Sequence, residues 1–322
     1  MNYLLSGSFA YDTILLFNGK LETHILPESI SRLNVSFLID STKDEFGGTG
    51  GNISYNASLL GDSPMILGVL GDNDMKPYLK HLKSRNLNID NITIIEDQKC
   101  PHAWILTDSN NNQITSFSVG AMKYKSNIPD NTPDIWHLAP ENPLTSALLA
   151  KTAIERNKEY FFDPGQCLPA FIGGVTNSVL DLDSILKNAK GIFVNDYEWE
   201  LLANHLKVES PFEFLTDKQI LVRTLGGKGV DLFYNGKLEH FDVVHTDKIV
   251  DPTGCGDSFR AGFLYAYTKN YSLEDAVQLG AVMGHYAIQH SGGQNHYHTL
   301  DEILEKWDVV KKENLKKKKP HF

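Results

Sequence analysis

No apolar stretch in this chain reaches the roughly 18 residues of a membrane-spanning helix, so no membrane span is expected. Cysteine is scarce. Cys100, Cys167 and Cys255 are odd in number and far apart, which argues against a disulfide framework or a thiolate metal site. Reduced thiols and a cytoplasmic location are the expectation. The opening MNYLLSGSFAYD lacks a basic leader, and Ser6, Gly7 and Ser8 break its apolar run; it reads as a first strand, not a signal peptide. Positive charge is also in deficit, with 30 Lys and Arg against 40 Asp and Glu and a net charge of −10. Residues 311–322 hold six Lys and one Glu, so the rest of the chain is more acidic than the total suggests. An acidic body argues against nonspecific nucleic-acid binding. The run Lys316-Lys317-Lys318-Lys319 reads as a solvated, frayed terminus. No G-x-x-x-x-G-K-[ST] loop occurs: the Gly-Lys pairs are followed by Leu21, Gly229 and Leu238, which excludes a Walker A motif.

What is present is a chain of 322 residues, 41% hydrophobic and 22% charged, ordinary for a globular protein. Strand patterns fall at residues 3–5, 65–69, 135–138, 160–162, 191–194 and 220–223, and a later hairpin of 230–234 and 237–241 turns on Asn235-Gly236. Helical patterns fall at 51–60, 75–85, 143–156, 182–189, 196–205, 258–269, 273–290 and 300–312. Strands separated by helices of this length predict an α/β fold with a mostly parallel sheet covered on both faces. Two β-rich stretches break the rhythm. One spans residues 13–46. The other spans 99–119, where Asn110-Asn111-Asn112 reads as a hairpin turn. The two insertions are expected to meet as a small sheet over the main one. That divides the chain into a core of residues 1–13, 46–98 and 120–322 and an inserted β unit of 14–45 and 99–119.

The most informative segment is Asp251-Pro252-Thr253-Gly254-Cys255-Gly256-Asp257, followed at once by an amphipathic stretch. It reads as a tight turn feeding a helix N-terminus. The first amides of a helix lack internal partners and sit at its positive end, so they attract phosphate. Gly254 and Gly256 let an anion approach the backbone. A carboxylate there makes sense if it faces a hydroxyl that attacks the phosphate; a plain N-cap is the other reading.

Other candidates are weaker singly. Gly47-Gly48-Thr49-Gly50-Gly51-Asn52 precedes a helix carrying Asn56, and its backbone could grip vicinal hydroxyls. Asp12, after Gly7-Ser8, is placed at the end of the first strand, where ligands collect in open α/β sheets. Asn195 and Glu198 open a helix and read either as water-mediated Mg²⁺ ligands or as a capping box. Thr224-Leu225-Gly226-Gly227-Lys228-Gly229 follows a strand and could lie along nucleotide phosphates. Ser291-Gly292-Gly293-Gln294 is mainly a helix stop that could also edge a base pocket. His296-Tyr297-His298 reads as surface loop.

In this order and spacing, the motifs resemble those of the ribokinase-like (PfkB) sugar and nucleoside kinases over nearly the whole chain. Gly47 to Asn52 resembles the family's glycine signature, Asn195 with Glu198 its N-x-x-E element, and Asp251 to Asp257 its D-T-x-G-A-G-D signature, with Pro252 and Cys255 as variants. Within the family the chain is similar to bacterial-type adenosine kinases through Gly7 to Asp12, Ser36 to Asp40 and Ser116 to Met122.

The resemblance implies a ribokinase-like three-layer α/β/α fold with a small β lid. It implies an ATP-dependent kinase acting on a ribonucleoside 5′-hydroxyl, adenosine being favoured. Asp257 would be the general base, with the amides from Gly254 to Asp257, those of Cys255 and Gly256 included, in the anion hole. Ser8, Asp12, Gly48 and Asn52 would hold the ribose. Phe117 would stack on the base, with Phe37 a second aromatic from the lid or a partner chain. Asn195, Thr224, Gly226 and Gly229 would line the ATP site, and Glu198 with Asn195 would organise Mg²⁺ through water. K⁺ is a further candidate cofactor, and a homodimer through the lid a candidate assembly. A nucleoside kinase preferring inosine, guanosine or cytidine, a sugar or sugar-phosphate kinase using Lys99, Lys123 or Lys125, and a non-catalytic nucleoside-binding protein are the competing readings.

Overall fold

The computed structural model describes residues 2–25, 34–110 and 112–317. The chain opens with strands β1 (Leu4–Ser6), β2 (Ala10–Leu16) and β3 (Ser41–Gly47) and helix α1 (Thr49–Leu59). Then come β4 (Met65–Gly71), α2 (Met75–Ser84), β5 (Ile92–Ile95), β6 (His102–Thr107) and β7 (Gln113–Ser118). The middle holds β8 (Ile135–Leu138), α3 (Pro143–Glu155), β9 (Glu159–Phe162), α4 (Leu168–Ile172), α5 (Leu182–Asn188), β10 (Gly191–Asn195) and α6 (Asp196–Leu206). Last are β11 (Ile220–Thr224), β12 (Val230–Tyr234), β13 (Lys237–Phe241), α7 (Cys255–Thr268), α8 (Leu273–Ala287) and α9 (Leu300–Lys317).

The large sheet runs β13-β12-β11-β10-β9-β8-β1-β4-β5. It is parallel from β11 to β5, and only β12 and β13 add antiparallel pairs. Adjacent residues on its strands enter opposite cores, as the two-residue strand period requires. Leu5, Phe161 and Phe193 join Phe263 of α7, Val282 of α8 and Trp307 of α9. Leu4, Phe162 and Ile192 join Leu149 of α3, Ile185 of α5 and Leu202 of α6. Each such fully buried side chain contributes about 1.5–3 kcal/mol through apolar burial. This is the mostly parallel sheet with helices on both faces that the alternation of patterns implied, in the three-layer form that the resemblance implied. Among the described residues, no helix is long and apolar enough to cross a membrane.

The two β-rich insertions do meet, in a four-stranded sheet ordered β3-β2-β6-β7, with β2 and β6 parallel and the outer pairs antiparallel. Its strands begin earlier and end later than the expected bounds: residues 10–13 and 46–47, assigned to the core from sequence, pair within it. Asp12 therefore lies within a strand of the small sheet, not at the end of β1, because the main-sheet strand stops at Ser6. Two elements were not anticipated, β5 and α4, which are only four and five residues long. The Thr107 to Gln113 connection is the expected hairpin, and Asp108 organises it. Its carboxylate accepts from the Leu21, Asn110 and Asn112 amides at 2.8–2.9 Å, which holds it near pKa 2. Asn111 itself lies outside the described residues.

Candidate active site

The carboxyl ends of β1, β8, β9, β10 and β11 converge on one edge of the large sheet, below the small sheet. There a cavity of about 200 Å³ is lined by Ser8, Asp12, Gly48, Asn52, Phe117 and Glu141, among others. Five of the six residues expected at the substrate thus share one cavity. Phe37 is the exception. Its ring packs on Phe17 and His24, at centroid distances of 5.3 and 5.5 Å, and it does not line the cavity.

Local geometry explains the glycine loop between β3 and α1. A Cβ on Gly47 would stand 2.1 Å from Asp12 Oδ2, so only glycine leaves room for that carboxylate. Ser8 Oγ accepts the Thr49 amide at 3.0 Å, closing the loop against the end of β1. Asp12 faces Glu45 across the β2–β3 pair. Burial, then the charges of Glu45 and Asp257, push the Asp12 carboxyl up to about 6.

Helix α7 starts at Cys255, three residues before the expected start, because Gly254 caps it with φ of +76°, a left-handed conformation that suits glycine. The Cys255 amide turns back to the Pro252 carbonyl at 3.2 Å. The amides of Gly256 and Asp257 stand in the first turn, where a helix has no carbonyl of its own to offer. The Cys255 thiol is pushed up to about 12, by burial and then by the charges of Asp251 and Asp257, and stays protonated.

Asp257 lies one helical residue beyond this cradle, partly buried. Its Oδ2 accepts from Asn52 Nδ2 at 2.8 Å. Burial pushes its carboxyl up to about 6, while the Asn52 bond and the Arg260 charge pull the other way. A carboxylate titrating there is ionised at neutral pH and is a stronger base than an ordinary one. Asn52, expected on the ribose, thus has its amide nitrogen directed to Asp257.

Beneath the cradle sits an ion pair that the sequence reading did not find. Arg260, on α7, contacts both oxygens of Asp163 at 2.5 and 3.0 Å and donates to the Gly256 carbonyl at 3.1 Å. Burial pushes the Asp163 carboxyl up, but the guanidinium outweighs it and holds the group below the usual range. Glu141, also missed, is buried on the cavity wall, receives a hydrogen bond from Ser6, and is pushed by burial up to about 8. The only sequence signal for Asp163 and Glu141 was an acid just past an apolar strand at the ligand-binding edge.

Asn195 and Glu198 form the capping box of α6, in which Asn195 accepts the Glu198 amide at 2.7 Å. Glu198 accepts from the Asn195 amide and side chain at 2.9 Å each. Burial, then the charge of Asp163, raise the Glu198 carboxyl. A buried carboxylate made costly by a like charge fits a nearby cation. Among the described residues no cluster of three or more His, Cys, Asp or Glu could hold a metal unaided. Thr224 ends β11 beside this cap, its hydroxyl 3.5 Å from the Val194 carbonyl. Gly226 and Gly229 bracket the following turn. His296, read as surface, is buried instead, with Nε2 2.8 Å from Asn56 Oδ1.

Comparison with known proteins agrees with this geometry. Residues 21–300 match the pfkB family of carbohydrate kinases. A nucleoside kinase of Methanocaldococcus jannaschii is 34% identical over 282 residues, covering 87% of this chain and 91% of that protein. Its crystal structure superposes with a TM-score of 0.83 at 30% identity, covering 96% and 99% of the two chains. The Burkholderia thailandensis nucleoside kinase bound to inosine also gives 0.83, at 31% identity and 96% and 97% coverage. The chain therefore belongs to the pfkB family, whose members are kinases that transfer phosphate to an alcohol group.

Proposed function

We propose that this protein transfers the γ-phosphate of Mg²⁺–ATP to the 5′-hydroxyl of a ribonucleoside. The observation that carries the reading is Asp257: a carboxylate poised by Asn52 beside a helix-end amide cradle and a cavity walled by Asp12, Gly48 and Phe117. Its nucleoside kinase relatives support the substrate class. Adenosine is the preference suggested by the sequence resemblance, and the inosine complex of the Burkholderia thailandensis relative makes inosine its first competitor.

In this reading Asp257 takes the proton from the 5′-hydroxyl, a contribution of about 10²–10⁴ in rate. Gly254, Cys255 and Gly256 shape the cradle that receives the transferring phosphoryl, with the Gly256 and Asp257 amides directed at its oxygens. Asp12 and the Gly48 loop, buttressed by Ser8, hold the ribose hydroxyls, and Asn52 adds a second edge. Phe117 stacks on the base. Asn195, Thr224, Gly226 and Gly229 line the ATP site, and Glu198 with Asn195 orients water around the nucleotide's metal. Bound Mg²⁺ supplies charge neutralisation on the phosphates. The small sheet acts as a lid that excludes water from the phosphate. Lys99, Lys123 and Lys125 do not line the cavity, which disfavours a sugar phosphate.

A panel of nucleosides and sugars with Mg²⁺–ATP, scored by ADP release, tests the reading. Turnover with adenosine or inosine well above ribose is expected; turnover confined to sugars overturns it. Omitting K⁺ from the same assay tests the monovalent-ion expectation, and sedimentation tests a dimer through the lid.

A further inference from the structure

Behind Asn52 lies a hydrogen-bonded chain whose polarity can be read from its far end. Tyr78 of α2 donates to the Gly47 carbonyl at 2.6 Å. A carbonyl only accepts, so the Tyr78 oxygen is left to accept. It does so from Gln294 Nε2 at 3.0 Å. The same amide group donates its second hydrogen to Asn52 Oδ1 at 3.0 Å. On the other side, Gln294 Oε1 faces His81 Nε2 at 2.9 Å. His81 is itself clamped by stacking on Phe46, at 4.2 Å between centroids. With Oδ1 taken by Gln294, the Asn52 amide can present only its Nδ2 to Asp257.

We propose that Gln294 is a positioning residue: it fixes the orientation of the Asn52 side-chain amide so that a donor, and not an oxygen, faces the Asp257 carboxylate. Gln294 is only 4% exposed and Asn52 only 6%, so water does not compete freely for these bonds. Were the Asn52 amide reversed, its oxygen would face Asp257 and repel the ionised form. The Gly47 carbonyl thus sets, through three side chains, the proton affinity of a group on another helix. This explains why the Ser291-Gly292-Gly293-Gln294 loop is drawn against the active site. A Cβ on Gly293 would stand 2.5 Å from Asn52 Cγ, a closeness that brings the loop up to Asn52.

The other charged or titratable groups that face Asp257 are Arg260 and Cys255 on its own helix, Asp163 after β9, and Asp12 on β2. None of them is altered by a change at Gln294. The group adjoining Gln294 that can titrate near neutrality is His81, whose pKa burial lowers, so it stays neutral there.

The proposal rests on Asp257 being the base only in its kinetic consequence. Its direct test is therefore structural. The Asp257 carboxyl resonance of ¹³C-aspartate-labelled protein, identified by its loss in Asp257→Asn, is titrated in wild type, Gln294→Met and Gln294→Glu. Met keeps the bulk and removes the bonds; Glu accepts where Gln donates and turns the Asn52 oxygen toward Asp257. The Asp257 midpoint should rise by about one pH unit in the Met variant and further in the Glu variant. A midpoint within about 0.2 pH units of wild type in either folded variant overturns the proposal. The acid limb of kcat should move with it. If the resonance moves and kcat does not, Gln294 is a positioning residue and the assignment of Asp257 as base is what fails.

Discussion

Replacing Asp257 by Asn should remove activity and raise stability together. The native carboxyl titrates near 6 against an ordinary 3.8, so the folded state holds its proton more tightly than the unfolded chain does. Above pH 6 both states are ionised, and the native one carries the full cost of a charge in a half-buried site. Below pH 4 both are protonated and the cost vanishes. Converted at 1.36 kcal/mol per pH unit, that cost is about 3 kcal/mol at most at neutral pH. Asn at 257 keeps an oxygen to accept from Asn52 and has no charge to bury. It also relieves Asp12, whose carboxyl is raised in part by the charge of Asp257. The variant should therefore unfold at higher urea than wild type at pH 7.5, the advantage shrinking between pH 6 and 4. Its kcat should fall by at least about 10²-fold with nucleoside affinity little changed. Wild-type kcat itself should decline as pH drops through about 6, as the base becomes protonated. A variant that turns over normally refutes the base assignment. One that is less stable than wild type at neutral pH refutes the electrostatic account, because the carboxylate would then be a structural ligand.

Arg260→Met leaves Asp163 buried without its partner and should cost about 3–5 kcal/mol in urea unfolding; a loss below about 1 kcal/mol would show the pair to be dispensable. Phe117 is 48% exposed at the cavity. Phe117→Ala should raise KM for nucleosides by about 5- to 150-fold, the equivalent of 1–3 kcal/mol of stacking, and leave KM for ribose unchanged. Equal effects on the two substrates would remove the stacking role. Glu198→Gln keeps one oxygen to accept from the Asn195 amide, gives up the second bond from the Asn195 side chain, and loses the charge. It should keep the thermal midpoint within a few degrees and raise the Mg²⁺ needed for half-maximal rate by about tenfold, whereas an unchanged Mg²⁺ dependence would leave Glu198 a helix cap alone.

The sequence by itself determined the layered α/β architecture, because each element announces its own period. Parallel strands covered on both faces read as short apolar runs, and their helices as 3.6-residue patterns. It also marked Gly254 to Asp257 as a glycine turn opening a helix, since turn chemistry and a helix start are local properties. Local signals failed where elements were very short, as at Ile92–Ile95, or where a polar side chain is buried by distant partners, as at His296. They placed Asp12 on the wrong strand, because an apolar run does not say which sheet will claim it. Only the tertiary structure decided which side chains meet. Asn52 and Asp257 are 205 residues apart, and Asn52 and Gln294 are 242 apart. That Asn52 donates to Asp257 and accepts from Gln294 is decided by hydrogen-bond direction and desolvation at the contact. Neither leaves a trace in the spacing of residues along the chain.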